Sequence, residues 1–147
     1  MAFRETTYIE APLETVFAIT TDFEHAPLIM DNVIRTEKVT EGPMQAGTQV
    51  KEFRNVRGRE IETILHITEF IPHQKYTVTS ESAGMTVVYE YHFQAQEGGT
   101  TVNFTGTIRS KGLKNTLIKP FFEKILKKEE ENHLVRLKEY IEQHKTE

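Results

Sequence analysis

Two patterns of apolar residues divide this chain. Between about residue 33 and residue 109, apolar and polar positions alternate in short segments separated by turn residues, which predicts antiparallel strands. In the last third, an apolar stripe with helical spacing runs from Leu117 to Ile141 and predicts an amphipathic helix. The stripe consists of Ile118, Phe122, Ile125, Leu126, Leu134, Leu137, Tyr140 and Ile141. We expect the strands upstream to supply the surface that this stripe covers.

Seven strands and two short helices precede the long helix in this interpretation. The first strand covers residues 3–9, and short helices follow near Leu13 and after Asp22. Pairs such as Gly42-Pro43 and Gly98-Gly99 then mark turns. The six remaining strands are predicted at about residues 33–40, 48–56, 59–70, 74–81, 85–95 and 100–109.

The strand alternation predicts one apolar and one polar face of the sheet, because successive side chains of a strand point to opposite faces. In the segment MTVVYEYHF the odd positions are apolar, whereas Thr86, Glu90 and His92 are polar. The next strand repeats the pattern with Val102, Phe104 and Ile108 on its apolar side. The apolar face is expected to meet the long helix.

The strand at 48–56 breaks this rule. Val50, Glu52, Arg54 and Val56 share one face, while Phe53 lies on the other. Either a bulge shifts the parity, or a Glu52/Arg54 pair points inward. An inward pair could orient a ligand carboxylate or carbonyl, whereas charges on an outer strand face are routine. The sequence leaves the orientation of the pair open.

A polar group interrupts the helical stripe in its middle. At about 100° per residue, His133 lies at the centre of the apolar face, with Glu129 at about −60° and Glu130 at about +40° from Leu126. Glu129 and His133, at positions i and i+4, could bind the polar end of a ligand or move a proton. The alternative is that they are solvated or ion-paired, because runs of glutamate in a helix usually mark exposed faces.

Pro120 lies near the beginning of the predicted helix. Proline kinks a helix when it occupies the interior and is well tolerated in the first turn. The sequence is therefore compatible with a kinked helix whose first turn forms a movable flap, or with a helix that starts at Pro120.

Composition and charge exclude several classes of site. The 147 residues carry a formal charge of −4, so no basic footprint for nucleic acid stands out. The absence of cysteine excludes disulfides, thiolate nucleophiles and cysteine-based zinc sites. The six histidines are scattered without metal-ligand spacing, and no apolar run is long enough to span a bilayer. We expect one cytoplasmic domain, residues 1–147, without a metal or another cofactor.

Several segments together resemble a known superfamily. They are IEAPLETVFAITTDFEHAP, ETILHITEFIP, GMTVVYEYHF, GGTTVNFTGTI and KGLKNTLIKPFF with EENHLVRLKEYIE. With the order of elements, they resemble the START-like or SRPBCC superfamily, and most closely its polyketide cyclase/dehydrase branch of small bacterial proteins. The resemblance implies an α+β helix-grip fold: a curved seven-stranded antiparallel sheet around a long C-terminal helix, with a ligand cavity between them.

The resulting functional prediction is the binding of a small, largely apolar ligand, lipid-, polyketide- or aromatic-like, in that cavity. Its wall is predicted to contain Leu65, Ile67, Val78, Met85, Val87, Tyr89, Tyr91, Phe104, Ile108, Phe122 and Ile125, with Met30 near the entrance. Glu129 and His133 would contact the ligand's polar end. Two alternatives are a cyclase or dehydratase that uses His133, Glu129 or a cavity tyrosine, and a protein-interaction module without a ligand. The sequence leaves a homodimer open.

Overall fold

The sheet has seven antiparallel strands in the order β1-β7-β6-β5-β4-β3-β2. The computed structural model describes residues 3–30, 32–82 and 84–144, without the side chains of residues 56, 82 and 129. The strands are β1 (Phe3–Ile9), β2 (Val33–Lys38), β3 (Gln49–Val56), β4 (Arg59–Ile71), β5 (Lys75–Ser82), β6 (Met85–Gln96) and β7 (Gly99–Ser110). The predicted strands are confirmed to within two residues at each end.

Short helices connect the first two strands. They are α1 (Leu13–Thr21), a 3₁₀ turn (Phe23–His25) and α2 (Ala26–Ile29). The Asp22 side chain accepts a hydrogen bond from the Glu24 backbone N–H at 3.0 Å, as expected for a residue that caps a helical turn. These elements lie beside the concave face of the sheet, where Val16, Phe17 and Ile29 join the core.

The long C-terminal helix consists of two segments, α3 (Leu113–Glu130) and α4 (His133–His144), with a turn at residues 131–132. The Asn132 carbonyl accepts the Arg136 N–H at 3.0 Å and so begins the hydrogen bonding of α4. Pro120 lies inside α3, so the helix does not start there.

Most of the helical surface that seals the core comes from α4. Leu134, Leu137 and Ile141 are almost fully buried against the sheet and α1. In α3, by contrast, Leu126 and Glu130 are the buried side chains among those described. The core therefore lies between the concave face of the sheet, α1 and α4, and α3 extends beyond it along β7.

The strand that broke the parity rule, β3, has no bulge in its pairing with β4. The register is continuous from Gln49↔His66 to Val56↔Arg59. Val50 and Glu52 are buried on the concave face, whereas Phe53 lies on the opposite face, with the Arg35 guanidinium 3.9 Å from its ring centroid. Of the two alternatives, the inward Glu/Arg pair is the one that the structure contains.

Candidate functional site

A cavity of about 70 Å³ lies between the concave face of the sheet, α2 and the start of α4. Its polar lining groups come mainly from β3, β5, β6 and the α3–α4 junction. Its apolar lining consists of Ile19, Phe23, Ala26, Ile29, Met30, Leu65, Val78, Phe104 and Leu137, and its polar lining of Thr20, Asp22, Glu52, Arg54, Tyr76, Tyr89, Tyr91, Glu130 and His133.

Three charged side chains form a buried cluster at one side of this cavity. Arg54 Nε donates to Glu52 Oε1 at 2.5 Å, and Arg54 Nη1 donates to Glu130 Oε1 at 3.2 Å. The Glu52 and Glu130 side chains are 7% and 2% exposed. The cluster thus joins β3 to the last residue of α3.

The two carboxylates hold Arg54 in its charged form. Burial alone lowers the pKa of Arg54, but the charges of Glu52 and Glu130 outweigh it, so that this pKa lies above its ordinary value. With both carboxylates ionised, the cluster carries one net negative charge. This side of the cavity therefore favours hydrogen-bond donors over a third carboxylate.

Beside the charged cluster, a phenol and an imidazole form a hydrogen-bonded pair. The Tyr91 hydroxyl and His133 Nε2 are 2.8 Å apart. Tyr91 stacks on Phe104, its cross-strand neighbour on β7, with ring centroids 4.4 Å apart. Phe104 also packs edge-on against His133, at 5.0 Å between centroids. These contacts fix both polar groups against a rigid aromatic wall.

The environment keeps both members of the pair neutral. Burial, and then the charge of Arg54, lower the pKa of His133 to about 4. Burial, and then the charge of Glu130, raise the pKa of Tyr91 well above its ordinary value. At neutral pH an uncharged imidazole therefore faces an uncharged phenol.

His133 also has a ring nitrogen that can still form a hydrogen bond. Its side chain is buried, and its Nδ1 atom has no hydrogen-bond partner among the described residues. A buried polar atom without a partner costs about 1–3 kcal/mol, so such atoms in native proteins usually serve a water molecule or a ligand.

The structure brings together seven of the residues predicted to contact a ligand. Six of them were predicted for the wall or the entrance of the pocket, and the seventh, His133, for its polar end. All seven line the cavity: Met30, Leu65, Val78, Tyr89, Tyr91, Phe104 and His133. They lie on β4 to β7, at the end of α2 and at the start of α4.

Other predicted wall residues do not line this cavity. Ile67, Met85 and Ile108 are buried in the core, and Val87 packs against it. Phe122 and Ile125 were wrong as wall residues, since they are 41% and 37% exposed. Both residues belong to the part of α3 that extends beyond the core, where the concave face of the sheet does not cover the apolar stripe.

The sequence predicts Glu129 as the helical carboxylate of the site, and the side chain of this residue lies outside the described part of the structure. The residue that contributes a carboxylate to the cavity is its neighbour Glu130. Glu130 lies one turn after Leu126, and these two residues define the packed side of α3.

Two signals could have revealed more of the site from the sequence. The first is the strand β3, whose unbroken parity places Glu52 and Arg54 on the side of Val50. The second is the segment from Ile19 to Ile29, which the sequence predicts to form short helices and which also contributes to the lining. Tyr76 shares the parity of Val78 and was not selected.

A second, larger depression adjoins the cavity. It measures about 520 Å³ and shares Asp22 and Phe23 with the first. Phe23 is half-buried and lies 6.3 Å from Tyr76, measured between ring centroids. The Phe23 side chain therefore borders both spaces.

Metal ligands and membrane spans are both missing from the described part of the chain. Among residues 3–30, 32–82 and 84–144, no group of three or more His, Cys, Asp or Glu side chains is placed to hold a metal ion. In the same residues, no helix is both long and apolar enough to cross a membrane.

Sequence and structure comparisons give consistent matches. The family model for polyketide cyclase/dehydrase and lipid transport proteins matches residues 1–142. TTHA0849 from Thermus thermophilus is 21% identical, with 92% of this chain and 93% of that chain covered and a TM-score of 0.72. A START superfamily protein from Mycobacterium smegmatis is 14% identical, with 96% of this chain and 97% of that chain covered and a TM-score of 0.65.

The di-domain ARO/CYC protein StfQ from the steffimycin biosynthetic pathway also matches. It is 11% identical, with 99% of this chain and 51% of that chain covered and a TM-score of 0.78. This chain therefore spans about half of StfQ. No curated protein matches the chain in sequence. At these identities the structural matches establish the helix-grip fold and leave the activity to be argued from the site.

Proposed function

The chain belongs to the polyketide cyclase/dehydrase and lipid transport family, and this membership supports a ligand-binding or cyclase role. We propose that the protein binds a small, largely apolar molecule with one neutral polar group. The observation that carries the proposal is the Nδ1 atom of His133, which has no hydrogen-bond partner among the described residues and belongs to a side chain that lines the cavity. A hydroxyl suits this position, since it can donate to Nδ1 in one imidazole tautomer and accept from it in the other.

The charge of the site supports a neutral ligand. The Glu52–Arg54–Glu130 cluster already satisfies its guanidinium with two carboxylates and leaves a net negative charge. A ligand carboxylate would add a second negative charge in a buried site, at a cost that its apolar contacts would have to offset.

Ligand binding requires the cavity to enlarge. Pockets for small molecules usually measure about 300–1,000 Å³, well above the 70 Å³ found here. A rotation of Phe23 away from Tyr76 would join the cavity to the neighbouring depression of about 520 Å³. The ligand would then enter beside α1 and α2, with its polar group directed to Tyr91 and His133.

Two related probes test this proposal. We expect 2-naphthol to bind more tightly than naphthalene, by about threefold to tenfold, because a hydrogen bond contributes about 0.5–1.5 kcal/mol. In His133→Phe this preference should disappear, with naphthalene binding retained. Tyr8→Phe, which alters an exposed phenol of β1, is the control and should keep the preference. Fluorescence titration measures these affinities, and native mass spectrometry of freshly purified protein checks for a retained molecule.

Two results would count against the proposal. If neither probe binds and no molecule copurifies, the cavity is not a ligand site. If both probes bind equally well to the wild type, the ligand's polar group is not recognised at His133.

A second candidate, a cyclase or dehydratase activity, is favoured by the hydrogen-bonded Tyr91–His133 pair. A neutral imidazole can accept a proton from an enolisable substrate, and a protonated phenol can stabilise the developing enolate oxygen. Two of the matched structures are di-domain ARO/CYC proteins.

A linear poly-β-ketone substrate separates the two candidates. If the protein is a cyclase, it should convert the substrate to cyclised aromatic products, and Tyr91→Phe should lower kcat by a factor of about 10²–10⁴ while KM changes little. Unchanged product formation in Tyr91→Phe would exclude this role for the pair.

A further inference from the structure

Helix α3 exposes a continuous apolar ridge. Leu113, Leu117, Phe121 and Ile125 follow one another at intervals of four residues, so they lie along one side of the helix. They are 78%, 73%, 65% and 37% exposed. Ile118 and Phe122, which are 36% and 41% exposed, lie beside them and widen the ridge.

The side of α3 that packs against the rest of the protein is not the side that carries the apolar ridge. Leu126 and Glu130 are buried there, and Lys119 and Glu123 are half-buried on the same side. At about 100° per residue, the apolar ridge is centred more than a quarter turn away from these four residues. Contiguous apolar surfaces of this kind usually mark a site of interaction.

The charge of this segment is opposite to that of the rest of the protein. Residues 111–128 contain six lysines and one glutamate, Glu123, and so carry a formal charge of +5. Since the whole chain carries −4, the remaining residues carry −9. Lys114, Lys124 and Lys128 are exposed and lie in the same half of the helix surface as the ridge.

We propose that α3 docks the protein onto an anionic lipid membrane. The helix lies flat in the interface, with the ridge at the boundary between headgroups and acyl chains and the lysine ammonium groups at the lipid phosphates. Exposed apolar side chains combined with lysine are typical of helices that bind in this way. Lysine also suits the arrangement because its alkyl chain can follow the apolar surface while its charge stays in water.

Charge complementarity favours a membrane over a second copy of the chain. A symmetric dimer through this surface would bring two segments of charge +5 together, and like charges across an interface oppose association. An anionic bilayer instead attracts each lysine near its surface. This inference does not depend on the proposed ligand, because the ridge lies outside the cavity.

Vesicle sedimentation tests the proposal directly. We expect the wild-type protein to bind vesicles of phosphatidylcholine and phosphatidylserine, and to bind vesicles of phosphatidylcholine alone at least tenfold more weakly. Salt should weaken the first interaction, since it screens exposed charges.

Substitutions on α3 test its two components separately. The double variant Leu117→Ser/Phe121→Ser should bind the anionic vesicles at least tenfold more weakly, because two large side chains no longer enter the bilayer. The triple variant Lys114→Gln/Lys124→Gln/Lys128→Gln should also bind the anionic vesicles at least tenfold more weakly, and its binding should depend much less on salt. The control is Val135→Ser on α4, which is 51% exposed and should bind like the wild type. Circular dichroism checks that every variant is folded.

Three outcomes would overturn the proposal. The first is equal binding to neutral and anionic vesicles. The second is the absence of vesicle binding by a monomeric wild type. The third is a wild-type dimer in sedimentation velocity that Leu117→Ser/Phe121→Ser dissociates, with no vesicle binding, which would assign the ridge to a second copy.

Discussion

Replacing Arg54 with methionine is expected to lower the free energy of unfolding by about 3–5 kcal/mol at neutral pH. The substitution keeps much of the length of the side chain but leaves the carboxylates of Glu52 and Glu130 buried without their shared cation. Since the Glu130 side chain is only 2% exposed, its carboxylate would be poorly solvated without the guanidinium. Urea denaturation followed by circular dichroism measures the loss.

An exposed ion pair on the same strand provides the comparison for this loss. The matched control is Lys51→Met on the same strand, whose ion pair with Glu62 is exposed. Lys51→Met should lower the free energy of unfolding much less than Arg54→Met does. An Arg54→Met protein as stable as the control would show that the cluster contributes little to the fold.

Acidification is expected to remove about 3 kcal/mol of stability through His133 alone. The pKa of this imidazole is about 4 in the folded protein and about 6.5 in an unfolded chain. As the pH falls, the unfolded chain binds a proton first. The contribution is therefore fully present above about pH 6.5 and is lost between pH 6.5 and 4.

Comparison with His133→Gln isolates this effect. Glutamine can still hydrogen-bond with Tyr91 but does not titrate, so the stability of the wild type relative to the variant should fall by about 3 kcal/mol between about pH 7 and pH 4. The control is His92→Gln, because the His92 side chain is half exposed. Denaturation curves at several pH values give the free energy of unfolding as a function of pH. If this free energy changes in parallel for the wild type and His133→Gln, the buried neutral imidazole is refuted.

The aromatic wall of the cavity and the charged cluster beside it differ in how far the sequence revealed them. Tyr89, Tyr91 and Phe104 were predicted on the concave face from strand alternation, and all three line the cavity. The partner of Arg54 on the helix could not be found in this way. Glu130 is 76 positions from Arg54 in the chain, and their contact depends on how α3 ends against the sheet.

The helical stripe shows a similar division. Its periodicity correctly indicated a long amphipathic C-terminal helix, with His133, Leu134, Leu137 and Ile141 on the packed side. It did not indicate that Phe122 and Ile125 would be exposed. Apolar spacing does not by itself fix how much of a helix the sheet covers, so the face that α3 presents to solvent had to be read from the structure.

The sequence by itself therefore determined the strands, the helices and the apolar face of the sheet, because periodicities of about 2 and 3.6 residues are local properties of the chain. Only the tertiary structure decided which polar groups meet. The Glu52–Arg54–Glu130 cluster, the Tyr91–His133 pair and the exposed ridge of α3 all depend on the packing of α3 and α4 against the sheet, and that packing is set by contacts between residues far apart in the chain.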